Sequence, residues 1–206
     1  MDIDTKQLPQ KLPAEVIMTF QGCKPQGHLR LGLGSSEKVG QVAKTLVETG
    51  PVLLMATPSM KRLGVAQKLQ ALLEQAGLET DMFTDILPEP KVEGMLLAAK
   101  AVKAKPYTLV VGLGGGSALD TAKMTALFAT SAYDPMTLMR DESLCTEGLP
   151  TILLPTTSGA GSEISPFIVI SDNGDKFFVD HPCVYGTVAI VDPLLTATMS
   201  PRITAA

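Results

Sequence analysis

The sequence predicts an α/β fold, a Rossmann-like and mainly parallel sheet with helices on both faces plus a β-hairpin. Three observations carry this. Short, β-rich apolar runs alternate with stretches of helical period along the chain. Glycine clusters fall where such a run gives way to a helix. Apolar residues make up 45% of the 206 residues and charged residues 18%, which excludes wholesale disorder and supplies one sizeable core.

The elements follow in order. Residues 1–15 read as a loosely ordered arm in front of a single domain over 1–206. The runs 16–20 and 29–33, separated by Gly22, Pro25 and Gly27, read as a hairpin or two short edge strands. A helix follows the Gly32-Leu33-Gly34-Ser35 turn, with Val39, Val42, Ala43, Leu46 and Val47 on one face and Gly50 as its stop. Residues 52–56 form a buried strand. Leu63, Ala66, Leu69, Leu72, Leu73 and Ala76 then keep helical spacing up to Gly77. After a strand at 80–83, Pro88-Glu89-Pro90 forces an extended loop, because each proline disfavours the helical region for its predecessor. Helix 91–105, strand 107–112 and helix 118–129 come next, with Ser117 and Asp120 at capping-box spacing. Residues 131–150 read as a long polar connection. A strand at 151–154 leads to a loop over 155–163. Hairpin arms at 165–171 and 176–179 then meet at Asn173-Gly174, which supplies the positive φ of tight hairpins. A strand at 188–191 and a short helix opened by Asp192-Pro193 complete the order.

Composition removes several classes of function. The balance of 17 basic and 21 acidic residues gives a net charge of −4 and no basic face for nucleic acid. Nine aromatic residues, none of them Trp, make a base-stacking platform improbable. Cys23, Cys145 and Cys183 form no CxxC pair or disulfide ladder, so reduced thiols and a cytoplasmic location are expected. The acidic N-terminus lacks an apolar h-region, and no long apolar run calls for a membrane. His28 and His181 are the only histidines, without an HExxH or a cluster of acids around them, so no metal site is expected within the chain.

Two loops carry chemistry. Gly112-Leu-Gly-Gly-Gly-Ser117 stands between a strand and a helix, where glycines let backbone approach an anion and the helix N-terminus presents its N–H groups. It is neither a Walker A sequence nor a GxGxxG at a first βα turn, and by itself it reads equally as a tight turn. Pro155-Thr-Thr-Ser-Gly-Ala-Gly-Ser-Glu163 follows the next strand and places hydroxyls where open α/β sheets bind ligands. An ordinary solvated loop is the alternative. Two such clusters after neighbouring strands favour one shared crevice.

In tandem, Gly114-Gly-Gly-Ser-Ala-Leu-Asp-Thr-Ala-Lys123 and Pro155-Thr-Thr-Ser-Gly-Ala-Gly-Ser-Glu-Ile-Ser165 closely resemble the signature segments of the iron-containing (group III) alcohol dehydrogenase family. The Gly32-Leu-Gly-Ser turn, Pro88-Glu-Pro, the Asp-Lys-Phe-Phe stretch at Lys176 and Val191-Asp-Pro fall in family order, so the resemblance spans about 16–206. It implies the family's N-terminal nucleotide-binding domain. It further implies that Gly115, Gly116 and Ser117 cradle a pyrophosphate, with Asp120 toward the nicotinamide end. Thr156 and Thr157 resemble contacts on the adenine and ribose side, and Ser165 and Lys176 resemble residues lining the cofactor further along. For Asp120 and Lys123 the alternative is a capping and solvating role at a helix start, and for Lys176 an ordinary exposed lysine.

Two departures stand out. Where NAD-preferring members carry an acid at the end of the second strand, this chain has Thr57, with Lys61 and Arg62 nearby, so NAD and NADP both remain open. The family's helical second domain, which supplies a divalent metal (iron or zinc) from one aspartate and three histidines, is expected to be absent from this chain. The function implied is therefore an NAD(P)-dependent alcohol dehydrogenase of iron-containing type, represented by its cofactor-binding part and inactive alone. A small alcohol or aldehyde is the implied substrate. Alternatives are an inactive nucleotide-binding or assembly module, and a glycerol-dehydrogenase-like or dehydroquinate-synthase-like relative. Self-association is expected through an exposed C-terminal face carrying Leu194, Leu195, Met199 and Ile203.

Overall fold

The computed structural model describes residues 15–19, 28–87, 91–172, 175–197 and 199. The strands are β1 (Val16–Thr19), β2 (His28–Leu31), β3 (Val52–Ala56), β4 (Thr80–Phe83), β5 (Leu109–Gly114), β6 (Thr151–Pro155), β7 (Phe167–Asp172), β8 (Asp175–Asp180) and β9 (Val188–Val191). The helices are α1 (Val39–Leu46), α2 (Pro58–Arg62), α3 (Val65–Gln75), α4 (Val92–Lys103), α5 (Gly116–Thr130), α6 (Pro135–Arg140) and α7 (Pro193–Thr196). Seven strands make one sheet in the order β1-β2-β9-β6-β5-β3-β4. Only the β1–β2 pair is antiparallel; the other neighbours run parallel. β7 and β8 form a separate antiparallel hairpin. Its Asn173-Gly174 turn, the Pro88-Glu89-Pro90 loop and the N-terminal arm up to residue 14 lie outside the described residues.

The sheet order contains a reversal. From β3 the chain moves outward to β4, then crosses back to lay β5 on the other flank of β3. Parallel neighbours whose connections leave in opposite directions open a crevice beyond their carboxyl ends. That crevice holds the candidate site.

Both faces of the sheet are covered. One core joins Leu53, Met55, Val110 and Leu153 to Met95 and Val102 of α4, Leu119 and Leu127 of α5, and Ile168, Ile170 and Val179 of the hairpin. The other joins Leu54, Val111, Ile152 and Ile190 to Val42 of α1, Leu69 and Leu73 of α3, and Leu195 of α7. Strands buried on both faces read as continuous apolar runs, which is why β3 was visible as Val-Leu-Leu-Met-Ala.

α5 has almost no solvent face, every residue from Ala118 to Phe128 being buried. The Thr121 and Thr125 hydroxyls return their hydrogen bonds to the Ser117 and Thr121 carbonyls, each at 2.7 Å. Glycine permits the close seating of α5 on β5. A Cβ at Gly112 would stand 2.7 Å from the Ala122 Cβ, and one at Gly114 would stand 2.6 Å from the Ala118 Cβ.

At the far end Asp192, 1% exposed, gathers the turn after β2. Its Oδ1 accepts from the Gly34 and Leu194 N–H groups, each at 3.0 Å. Its Oδ2 accepts from the Ser36 N–H at 3.1 Å and the Ser36 hydroxyl at 2.6 Å.

Several expectations are corrected. The helix expected over 63–76 is α3, and a separate short helix the sequence did not suggest, α2, precedes it: α2 starts at its Thr57 cap with Pro58 in the first turn, and Gly64 at φ 76° separates the two. The connection over 131–150 contains α6, capped by the Asp134 carboxylate, and a 3₁₀ turn at Glu142–Leu144. Ser117 and Asp120 form no capping box: Gly115 is the N-cap of α5, which has no side-chain cap. The C-terminal apolar face is not exposed as expected, since Leu195 packs into the second core and Leu194 and Met199 are half-buried. Ile203 lies outside the described residues. No described helix is long and apolar enough to cross a membrane.

Candidate functional site

β3, β5 and β6 deliver their carboxyl ends side by side, and each is followed by a polar or glycine turn. Thr57 leaves β3 as the N-cap of α2, its Oγ1 accepting from the Met60 N–H at 3.4 Å and sharing a hydrogen bond with the Ser59 hydroxyl at 2.9 Å. Gly115 and Gly116 open α5 after β5. Thr156 follows β6 and donates its N–H to the Gly114 carbonyl at 2.9 Å.

Two clefts meet on this platform. The first, about 420 Å³, lies between the β3 and β5 turns and is lined by Thr57, Ser59, Arg62, Leu87, Gly115 and Gly116, among others. The second, about 400 Å³, lies between α5, the loop after β6 and the hairpin. Its polar lining comes from Ser117, Asp120, Ser162, Ser165, Ser171 and Lys176. Gly116 and Ser117 line both.

The sequence-derived residues thus fall into place unevenly. Thr57, Gly115, Gly116 and Ser117 gather at the first cleft, and Gly116, Ser117, Asp120, Ser165 and Lys176 at the second. Thr157 stands over the glycine turn, its Oγ1 3.1 Å from where a Gly115 Cβ would be. The Thr156 side chain is buried and lines neither cleft. Arg62 lines the first cleft whereas Lys61 does not.

Electrostatics concentrate in the second cleft. Asp120 accepts from the Ser162 hydroxyl at 2.5 Å and from the Val169 N–H at 3.1 Å. Lys123, 3% exposed, pairs with Asp120 at 3.4 Å and donates to the carbonyls of Ser162, Ser165 and Phe167. Burial pushes its ammonium below the ordinary lysine range, and Asp120 and Glu163 pull it back. Neither the solvated lysine nor the capping aspartate of the bland alternative fits these contacts. Lys123 escaped sequence reasoning because an isolated lysine on a helix normally marks a wet face. The available signal was the absence of any other charged residue from Ala122 to Thr130.

A glycine turn at the head of a long buried helix, with open space beside it, suits an anionic ligand held by backbone. The space fits a dinucleotide in one respect that is directly visible: side chains at Gly115 and Gly116 would fill the approach to the turn. A metal finds no such fit. Among the described residues no three His, Cys, Asp or Glu side chains converge to hold an ion. His28 sits on β2, and His181 accepts from the Cys183 N–H at the exit of the hairpin.

Fold and clefts define an open α/β protein with two clefts at the topological switch point of the sheet. The profile of the iron-containing alcohol dehydrogenases matches residues 26–193, and the chain belongs to that family. Over 158 residues it is 39% identical to the long-chain-alcohol dehydrogenase 1 of Geobacillus thermodenitrificans, covering 75% of this chain and 40% of that protein. It is 29% identical over 181 residues to the NADPH-dependent butanol dehydrogenase of Clostridium saccharobutylicum, covering 84% and 45%. Among solved structures, the sulfoacetaldehyde reductase of Bifidobacterium kashiwanohense in complex with NAD+ superposes with a TM-score of 0.81 at 28% identity, over 91% of this chain and 50% of that one. The chain spans less than half the length of these curated relatives.

Proposed function

We propose that this chain supplies the NAD(P)-binding part of an alcohol dehydrogenase of the iron-containing type. The observation that carries the reading is the meeting of two clefts on Gly116 and Ser117. A dinucleotide is two nucleosides joined through a pyrophosphate, so a glycine turn between two clefts matches its outline. Gly115 and Gly116 admit the pyrophosphate to the head of α5. The cleft at the end of β3 takes the adenosine half, and the cleft lined by Asp120, Ser165 and Lys176 takes the nicotinamide half. The bound cofactor supplies hydride acceptance or donation toward a small alcohol or aldehyde. What the protein contributes is position: the hydroxyls of Ser117, Ser162 and Ser165 orient the polar half, and the apolar side chains Ile86 and Leu87 flank the other. Calorimetric titration with NAD+ and NADP+ tests the reading, and saturable binding of neither overturns it.

The lining of Thr57, Ser59 and Arg62, with no carboxylate among the described residues of the first cleft, supports acceptance of a 2′-phosphate. Thr57→Asp places a negative charge there. It is expected to lower the affinity for NADP+ relative to NAD+ by about tenfold, roughly 1.4 kcal/mol. An unchanged NADP+ affinity in the titration removes Thr57 from the ribose.

Protein of this 206-residue sequence is expected to bind the cofactor without oxidising simple alcohols. A catalytic divalent site needs about three converging protein ligands, and the described residues offer no such set. Elemental analysis after loading with iron or zinc, paired with a turnover assay on a primary alcohol, checks this. Stoichiometric metal with metal-dependent turnover overturns it.

A further inference from the structure

We propose that Lys123 is a positioning residue, whose buried ammonium fixes the segment 162–167 as the wall of the second cleft and thereby seats the nicotinamide half of the dinucleotide. The inference rests on the dinucleotide reading above and deepens it. Three of the residues that line the second cleft, Ser162, Ser165 and Phe167, are the same three whose carbonyls Lys123 holds, at 2.9, 3.2 and 2.6 Å. An ammonium has three N–H donors, and here all three are spent on one short stretch of backbone.

Before β7 pairs Phe167 with Asp180, the other backbone ties of that stretch are the Ile164 N–H to the Gly161 carbonyl and the His181 N–H to the Pro166 carbonyl. The stretch contains one 3₁₀ turn, Ser162–Ile164, and enters through Gly159 and Gly161 at φ 107° and 64°. No sheet ladder holds it before β7 begins. Asp120, one turn earlier on α5, completes the strut by accepting from the Ser162 hydroxyl and the Val169 N–H. The lysine and the aspartate neutralise each other at 3.4 Å, so a buried charge is kept on a helix that is otherwise apolar or hydroxylic there. Burying an amine costs free energy that a methionine of similar length avoids. The return on that cost is a fixed set of cleft-facing carbonyls and hydroxyls, on one side of Ser117 only. The first cleft is lined by no residue of 162–167.

The distinction makes the test. ADP occupies the adenosine cleft and the glycine turn, whereas NAD+ requires the second cleft as well. Calorimetry compares Kd for ADP and for NAD+ in the unaltered protein and in Lys123→Met. The variant is expected to keep ADP affinity within about twofold and to lose about tenfold in NAD+ affinity, a differential loss that general destabilisation does not produce. Hydrogen exchange should rise over 156–167 while β3 and β5 stay protected. If Lys123→Met binds both ligands as the unaltered protein does, or loses both equally while folded, the proposal is overturned. Should it fail to fold, Lys123→Gln, which is shorter and has two N–H donors for three carbonyls, must show the selective NAD+ loss or the proposal falls. Unaltered protein that binds ADP but gains nothing from the nicotinamide half overturns this inference alone; binding of no dinucleotide overturns the functional reading with it.

Discussion

Alanine at Asp192 is expected to lower the stability of the fold by about 3–4 kcal/mol, since unsatisfied buried donors cost about 1–3 kcal/mol each. Four donors converge on this one carboxylate, and two of them, the Ser36 N–H and hydroxyl, are buried with it. Water can reach the Gly34 and Leu194 amides more readily, so the Ser36 pair dominates the loss. Asparagine separates the two halves of the effect. Its carbonyl can keep Gly34 and Leu194, but its amide then faces the Ser36 N–H donor to donor, and an intermediate loss is expected. Urea denaturation followed by circular dichroism measures both, with the midpoint falling and the slope unchanged. A stability within about 0.5 kcal/mol of the unaltered protein would show that solvent replaces the carboxylate.

Valine at Gly115 is the corresponding test of the site, with binding lost and folding kept. The backbone there has φ −77°, which any residue adopts, so no strain opposes the substitution. A Cβ meets only Thr157, with Oγ1 at 3.1 Å, and a side-chain rotation relieves that contact. The branched side chain nevertheless takes up space at the glycine turn, where the pyrophosphate is proposed to lie. NAD+ affinity is expected to fall by at least about a hundredfold, roughly 2.7 kcal/mol. The urea midpoint should move little. Equal affinity in the variant means the phosphates lie elsewhere.

How far the sequence could be read follows from the range of the interactions that decide each feature. β3, β5 and β6 were legible because strands buried on both faces are uninterrupted apolar runs, and the glycine turn after β5 was legible from its composition. The separate α2 was not, because Pro58–Arg62 is too short to show a helical period, and its start rests on the Thr57 cap and Pro58 alone. Asp120 was read toward the nicotinamide end with a capping role as the alternative, but Lys123 was left to a solvated helix start, since nothing local announces that the hairpin covers that side. Arg62 came to the first cleft, and Lys61 did not, through the phase of a single helical turn. The family signatures pointed to the candidate site; which residues face each cleft is decided by contacts between segments about 40 to 50 residues apart.

The strand order also has a consequence in time. β4, β3, β5 and β6 are drawn from residues 52–155 and can assemble among themselves as the chain emerges from the ribosome. β2 cannot: its parallel partner is β9, His28 opposite Val188, and the turn behind it is fastened by Asp192. The N-terminal hairpin therefore waits, unpaired along one edge, until β9 has been made, roughly 8–32 seconds later at ordinary elongation rates. Closing a loop of that length adds little entropy beyond a loop half its size. The burden falls on the interval rather than on the final stability, with an open β-edge exposed to other nascent chains while the first cleft, between the turns after β3 and β5, is already in place.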